Sequence, residues 1–239
     1  MHIKALGGLQ AQIVGGPDRD GGGTGPMVVL FHGFGAPGDD LVALWKMIRV
    51  PDEVRFVFPV APLALDDGPQ GGRAWWMLDL ERIARDLASG RGRDVHSVPQ
   101  GISEARASIV SLLDQLEKKW NTTSRHIFLG GFSQGAMLAC DTVLRTDRPF
   151  AGLILLSGGL IAKDEWLSLI PNRKGLPVFQ SHGTDDPLLP FGNAKDLGNA
   201  LTNQGLSVDW HEFRGGHEIP FYVLERLGSF LRTHLLTLT

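Results

Sequence analysis

The chain has 239 residues, of which 43% are hydrophobic and 21% charged, so it can bury a substantial core. A net charge of −3 argues against nucleic acid as a partner, because such binding needs a positively charged surface. The single cysteine, Cys140, excludes an intrachain disulfide.

The sequence predicts a cytoplasmic protein. Its N-terminal residues lack the apolar core of a signal peptide. No apolar run is long enough to cross a bilayer, so we expect no stable membrane insertion.

The first quarter of the chain predicts strands alternating with one helix. Residues 3–14 alternate loosely between polar and apolar and predict an edge strand. The apolar run Met27–Phe31 predicts a strand buried on both faces, and 54–58 predicts the next one. Between these two strands, helical spacing predicts a helix over 41–48. Its apolar positions are Leu41, Leu44, Trp45 and Ile48.

The stretch 59–78 contains Trp75 and Trp76 and is too long and too aromatic for a simple connector, which predicts a pocket-lining loop. A short helix is expected within 79–96, and Pro99 marks the start of a longer one. We therefore expect a pocket-lining or lid-like insertion at about 60–98. The apolar face of the longer helix comprises Ile102, Ala105, Ile109, Leu112, Leu113 and Leu116.

The stretch 127–144 combines a short apolar strand, the pentapeptide Gly-Phe-Ser-Gln-Gly at 131–135 and a helical pattern. Gly-x-Ser-x-Gly between a strand and a helix is typical of a nucleophile elbow, a strained turn that exposes a serine above the sheet. A chain with 31 glycines can produce the pentapeptide by accident, but the flanking strand and helix favour the elbow. Ser133 is therefore the candidate nucleophile.

The rest of the chain continues the alternation. Strands are predicted at 150–156, 178–182 and 208–213, and leucines at helical spacing over 224–235 predict a closing helix. Strands alternating with helices predict a mostly parallel central sheet with helices on both faces. We expect a single α/β domain over 1–239, because neither an internal repeat nor a linker divides the chain.

A serine hydroxyl needs a histidine to take its proton and a carboxylate to orient that histidine. His217 follows the last predicted strand on a glycine-rich turn, at the sheet edge where open α/β sheets gather such groups. Asp185 and Asp186 follow the preceding strand, and spacing alone does not separate them. The order serine, aspartate, histidine is that of the α/β-hydrolases.

Four motifs together resemble the phospholipase/carboxylesterase family, which includes the acyl-protein thioesterases, and the resemblance covers nearly the whole chain. The motifs are Gly-Phe-Ser-Gln-Gly at 131–135, His-Gly-Phe-Gly at 32–35, His-Gly-x-x-Asp-Pro at 182–187 and Gly-His-Glu-Ile at 216–219. Gly-Arg-Ala-Trp-Trp at 72–76 resembles the bacterial esterase branch.

This resemblance implies an α/β-hydrolase fold and an enzyme, a serine esterase of the carboxylesterase type without a cofactor. It assigns the triad acid to Asp186, the aspartate directly before the proline. It also implies an oxyanion hole made by the backbone N–H groups of Phe34 and Gln134. Residues 82–98 look longer than in compact members of the family, which leaves the route of substrate entry open.

Two other functions compete with this one. Residues 33–38 form a Gly-x-Gly-x-x-Gly pattern of the dinucleotide-binding type, but Asp39 and Asp40 would then meet the pyrophosphate as like charges. A catalytically silent α/β-hydrolase fold could serve as a small-molecule receptor, since fold does not fix function. Metal catalysis is disfavoured because the sequence contains no His-Glu-x-x-His motif or Cys/His ligand cluster.

The expected partner is a small-molecule ester, with thioesters as a second class, and the chain is expected to be a monomer or homodimer. Trp75, Trp76, Leu188 and Phe221 are the candidate substrate-binding residues. Alternate residues of an extended loop point to opposite sides, so one of the two tryptophan rings is expected to face the cleft. A bulky ring there would shorten the acyl channel, which predicts a preference for short to medium acyl chains.

Overall fold

A computed structural model describes residues 2–65, 71–89 and 94–236. Eight strands form one sheet in the order β1-β2-β4-β3-β7-β8-β9-β10, and β5 pairs separately with β6. The bounds of the sheet strands are β1 (His2–Leu6), β2 (Leu9–Gly15), β3 (Met27–Phe31), β4 (Arg55–Pro59), β7 (Ile127–Phe132), β8 (Gly152–Leu156), β9 (Pro177–Gly183) and β10 (Ser207–Phe213). The small pair consists of β5 (Leu63–Ala64) and β6 (Arg73–Ala74).

The helices follow the strands in the alternation that the sequence predicts. Their bounds are α1 (Leu80–Ala88), α2 (Ile102–Trp120), α3 (Gln134–Arg145), α4 (Lys163–Leu169), α5 (Phe191–Asn203) and α6 (Phe221–Leu235). From β4 to β10 the neighbouring strands are parallel, whereas β1–β2 and β2–β4 are antiparallel. The predicted mostly parallel sheet is confirmed.

Both faces of the sheet are buried, as β3 shows. Met27, Val29 and Phe31 pack into a core shared with α2, α3, α4 and α5, whereas Val28 and Leu30 pack into a second core shared with α6. Side chains alternate across a strand, so a run that is apolar at every position needs cover on both sides.

Three predictions about local structure were wrong or incomplete. Residues 3–14 form a hairpin of β1 and β2 instead of one edge strand, because Gly7 and Gly8 adopt φ of 59° and 82° and turn the chain. The helix expected over 41–48 is only a 3₁₀ turn at Val42–Lys46. Helices α4 and α5 were not predicted.

The insertion expected at about 60–98 contains the β5–β6 pair and α1, and its residues 66–70 and 90–93 lie outside the described residues. The six parallel strands β4, β3, β7, β8, β9 and β10 end at the same edge of the sheet. Because the loops that leave these ends approach one another, the candidate functional groups meet there.

Candidate active site

Ser133 lies between β7 and α3 with φ 56° and ψ −117°, a conformation that non-glycine residues rarely adopt. Its N–H donates to the carbonyl of Leu156 on β8 at 2.9 Å, which holds the turn in place. A Cβ added at Gly131 would lie 2.5 Å from the carbonyl carbon of Gly135, and one at Gly135 would lie 2.6 Å from the carbonyl oxygen of His32. The tight turn therefore needs glycine at both positions.

The two backbone N–H groups expected to form an oxyanion hole belong to segments that touch. A Cβ added at Gly33 would lie 3.3 Å from the Cβ of Ser133, so the 32–35 loop passes directly beside the serine. Within the described residues, neither the N–H of Phe34 nor that of Gln134 donates a hydrogen bond. Both donors are thus free to meet an oxyanion.

Asp186 and His217 are joined by a hydrogen bond of 2.7 Å between Oδ2 and Nδ1. The carboxylate can only accept here, so Nδ1 carries the proton and Nε2 is left as a base. Asp185, the alternative acid, is exposed, and its N–H donates to the carbonyl of Gly215. Of the two aspartates, the structure brings Asp186 to the histidine.

Two contacts hold His217 next to the elbow. Its ring packs against Phe132, the residue before Ser133, with centroids 4.7 Å apart. The hydroxyl of Ser157, a buried residue at the end of β8, donates to the carbonyl of Glu218 at 3.3 Å. Within the described residues no hydrogen bond joins Ser133 to His217, and such bonds often tighten only when substrate binds.

Asp186 is held as a carboxylate by an unusual number of donors. Burial by itself would raise its pKa, but hydrogen bonds from His182, His217 and the N–H groups of Leu189 and Leu188 outweigh it and hold the pKa well below its usual range. Sequence reasoning treated His182 only as part of a motif. Its spacing of four residues from Asp186 was the available signal.

The tryptophan pair is attached to the elbow through Gln134. The side-chain oxygen of Gln134 accepts from the N–H of Trp75 at 3.0 Å, and its amide nitrogen donates to the carbonyl of Trp76 at 2.8 Å. The indole of Trp75 donates to the carbonyl of His32 at 2.9 Å and packs against Phe31 and His32. These contacts tie together the two segments that carry the candidate oxyanion donors.

His32 completes this framework from beneath the 32–35 loop. Its Nδ1 donates to the carbonyl of Gly33 at 2.8 Å, and its Nε2 accepts from the N–H of Ala61 at 3.0 Å. This arrangement uses the neutral ring, consistent with burial, which lowers the pKa of His32. The loop is thus braced by a neutral histidine with both nitrogens occupied.

Of the two tryptophans, one of whose rings is expected to face the cleft, both are buried, because Trp75 is 1% exposed and Trp76 is 2% exposed. The burial has different causes. Trp75 is enclosed by the core, whereas Trp76 borders a cavity of about 600 Å³. The apolar part of its lining comprises Trp76, Met77, Leu78, Ile83, Val98, Pro99, Met137, Leu160, Ile161 and Leu189.

This cavity adjoins the candidate active site. Met137 lies in the first turn of α3, directly after the elbow, and the N–H of Leu189 donates to Asp186 at 2.9 Å. Leu188 and Phe221 are 53% and 54% exposed and do not line the cavity. Leu188 nevertheless donates its N–H to Asp186, and Phe221 begins α6 four residues after His217.

The described residues also limit other kinds of site. They contain no group of three or more His, Cys, Asp or Glu side chains placed to hold a metal ion. In the same ranges, no helix combines the length and the apolar character needed to span a bilayer.

Comparison with known proteins finds relatives that are named as esterases or thioesterases. Residues 21–235 match the Phospholipase/Carboxylesterase family. Acyl-protein thioesterase 1 of Kluyveromyces lactis is 30% identical, and the match covers 86% of this chain and 90% of the relative. Acyl-protein thioesterase 1 of Gibberella zeae is 28% identical, and the match covers 87% of this chain and 90% of the relative. The crystal structure of esterase PE8 superposes with a TM-score of 0.78 at 30% identity, covering 94% of this chain and 98% of that one. The chain therefore belongs to the phospholipase/carboxylesterase family of α/β-hydrolases.

Proposed function

We propose that the protein is a serine carboxylesterase that cleaves small-molecule esters of short to medium acyl chains, with thioesters as a second substrate class. The observation that carries the proposal is the 2.7 Å bond between His217 and Asp186 beside a serine held at φ 56°. Esterase PE8 and the acyl-protein thioesterases among the relatives support acyl transfer from oxygen or sulfur.

In the first step Ser133 Oγ attacks the substrate carbonyl carbon while His217 Nε2 takes the hydroxyl proton. Asp186 keeps the ring in the tautomer that has a free Nε2 and stabilises the imidazolium that forms. The N–H groups of Phe34 and Gln134 bind the developing oxyanion. Collapse of the tetrahedral intermediate breaks the bond to the leaving alcohol or thiol, which receives the proton from His217.

In the second step water attacks the acyl-enzyme, and His217 takes a proton from this water. The second tetrahedral intermediate collapses, the acid is released and Ser133 recovers its proton. No cofactor enters either step. The alternative function, a dinucleotide site at the Gly-x-Gly-x-x-Gly pattern of residues 33–38, loses support. The pattern is followed only by a 3₁₀ turn at Val42–Lys46, so no long helix places its N-terminus where a pyrophosphate would bind.

The test is fluorophosphonate labelling combined with turnover of acyl esters and thioesters graded from acetyl to palmitoyl. Ser133→Ala should abolish the label and lower turnover by several orders of magnitude, as expected when a triad nucleophile is removed. Ser103→Ala, which alters an exposed serine of α2, is the matched control and should keep both the fluorophosphonate label and the wild-type turnover. Labelling at another serine would contradict the assignment, and a folded protein without ester turnover would favour the silent receptor.

A further inference from the structure

A second imidazole contacts the carboxylate that orients His217. His182, at the end of β9, is fully buried, and its Nε2 lies 3.2 Å from Asp186 Oδ2 and 2.8 Å from the carbonyl oxygen of Leu189. Asp186 Oδ2 thus faces His182 and His217 at the same time. The other oxygen, Oδ1, accepts the N–H groups of Leu188 and Leu189 at 2.8 and 2.9 Å.

The surroundings of His182 fix the position of its proton. The two atoms that approach Nε2 are both acceptors, so Nε2 must carry a hydrogen. Nδ1 is buried and has no hydrogen-bond partner within the described residues. A proton on Nδ1 would therefore be a buried donor without an acceptor, which is the less favourable arrangement. The hydrogen therefore lies on Nε2.

We propose that His182 is a positioning residue of the active site, which shares its single Nε2 hydrogen between the Leu189 carbonyl at 2.8 Å and Asp186 Oδ2 at 3.2 Å and thereby sets both the orientation of that carboxylate and the basicity of His217. The inference rests on the proposed function, because it assigns a role within the same triad. A carboxylate oxygen that accepts two hydrogen bonds offers less charge to each donor. Donation from His182 therefore weakens the stabilisation that Asp186 gives to the His217 imidazolium.

The effect depends on burial. Asp186 is 8% exposed, so water does not replace a lost donor, and each hydrogen bond to the carboxylate counts for more than it would at the surface. The pKa of Asp186, which lies well below its usual range despite burial, agrees with donation from both histidines. Replacing His182 by a ring of similar shape without the N–H would have two effects. Asp186 would bind His217 more strongly, and the carbonyl of Leu189 would lose its hydrogen-bond donor.

Other charged groups near His182 are few among the described residues. Glu212 is its register partner on β10, but the residue is exposed. From α5 the Phe191 ring lies 6.4 Å from the His182 ring, and the ammonium of Lys195 covers Phe191 at 5.8 Å. Asp186 and His217 are the groups that face it from the loops. The pH response of the triad should therefore depend on His182 more than on any surface charge nearby.

The experiment compares His182→Phe with His182→Gln, because glutamine can place an N–H near the position of Nε2. In each protein the titration midpoint of His217 is measured by imidazole NMR, and the acid limb of kcat/KM is measured with an acyl ester. In His182→Phe both should move to higher pH by about one unit, and kcat/KM on the plateau should fall roughly tenfold. In His182→Gln the midpoint should return to within a few tenths of a unit of wild type.

His126→Phe is the control, since His126 lies at the opposite end of β7, and its profile should match wild type. An unchanged His217 midpoint in folded His182→Phe would overturn the proposal, whatever happens to turnover. If that variant does not fold, the wild-type NMR spectrum decides: a hydrogen on Nε2 of His182 supports the proposal and a hydrogen on Nδ1 overturns it. A shifted midpoint in a protein without esterase activity would keep the inference and reject the proposed function.

Discussion

At the scale of single residues, Asp185 and Asp186 differ in environment although they are adjacent. Asp186 is buried and accepts hydrogen bonds from His217 and two backbone N–H groups, whereas Asp185 is exposed. Spacing in the sequence could not separate the two, because both residues are aspartates and both positions suit a turn.

We predict that Asp186→Asn lowers kcat/KM by roughly a hundredfold or more, because the imidazolium that forms during attack loses its charged partner. Asp185→Asn serves as the matched control and should leave kcat/KM within about twofold of wild type, as expected for a surface substitution. Both proteins must show the wild-type circular dichroism spectrum. A larger loss in Asp185→Asn would mean that the wrong carboxylate has been assigned.

The residues that sequence reasoning missed share a property: each contacts another residue of the candidate site and holds it in place. His182 and Ser157 support Asp186 and the His217 loop, and the side chain of Gln134 holds the tryptophan pair. The nucleophile, by contrast, carries a local signature, since strand, glycines and helix all surround Ser133. The contacts of Ser157 and Gln134 join residues 61 and 59 positions apart, so a single sequence cannot show them, whereas His182 lies four residues from Asp186.

At the scale of elements, the elbow is a close contact between the start of α3 and the end of β3. A Cβ at Gly135 would overlap the carbonyl group of Phe31. Neither backbone can move away easily, because β3 is a central strand paired on both sides with β4 and β7. The glycines are thus required by packing as well as by the turn.

We predict that Gly135→Ala lowers the free energy of unfolding by about 1–3 kcal/mol or more, as overpacking of a rigid site does. Gly192→Ala is the matched control, since no atom lies within 4 Å of its added Cβ. It should be neutral or stabilising by up to about 1 kcal/mol, because alanine favours the helix. Urea unfolding of the three proteins measures the difference, and equal stability of the two variants would contradict the elbow geometry.

Elements were predictable where the apolar pattern was long or flanked by clear signals. The runs that became β3, β7 and β8 are apolar on both faces, and the apolar face of α2 recurs from Ile102 to Leu116. The 41–48 pattern produced only the 3₁₀ turn Val42–Lys46, and nothing in the sequence distinguishes it from a short α-helix. Helix α5 was missed because Gly192 and Gly198 weaken its helical signal.

At the scale of the whole molecule, the chain segment that carries Trp75 and Trp76 connects the core, the elbow and the cavity. Trp75 faces inwards to Phe31 and His32, while Trp76 faces the cavity. The sequence indicated that the two rings diverge, because neighbouring residues of an extended chain do so. It could not show that both are buried, since burial depends on α1 and on the loops that cover the cavity.

We predict that Trp75→Ala lowers the free energy of unfolding by about 3–5 kcal/mol, the usual effect of removing a core aromatic. Trp75→Phe keeps most of the ring contacts but removes the N–H that reaches the carbonyl of His32. That variant should lose less stability and should still lower kcat, because the 32–35 loop is less well held. Thermal unfolding and turnover of one acyl ester measure both effects, and an unchanged kcat in folded Trp75→Phe would reject this support of the oxyanion hole.

We predict that the cavity beside Trp76, with a volume of about 600 Å³, holds the acyl chain and limits its length. Each methylene that fits should add about 0.8 kcal/mol of burial, which is roughly a fourfold gain in kcat/KM, until the cavity ends and the rate falls. Trp76→Ala enlarges the cavity, so the acyl-chain length with the highest kcat/KM should increase.

Trp45→Ala is the control. This ring borders a different cavity near Gly15 and Arg49, so its removal should leave the chain-length profile unchanged. The measurement is kcat/KM across acyl esters from acetyl to palmitoyl. A wild-type profile that rises without a break to palmitoyl and does not change in Trp76→Ala would contradict the short-channel hypothesis.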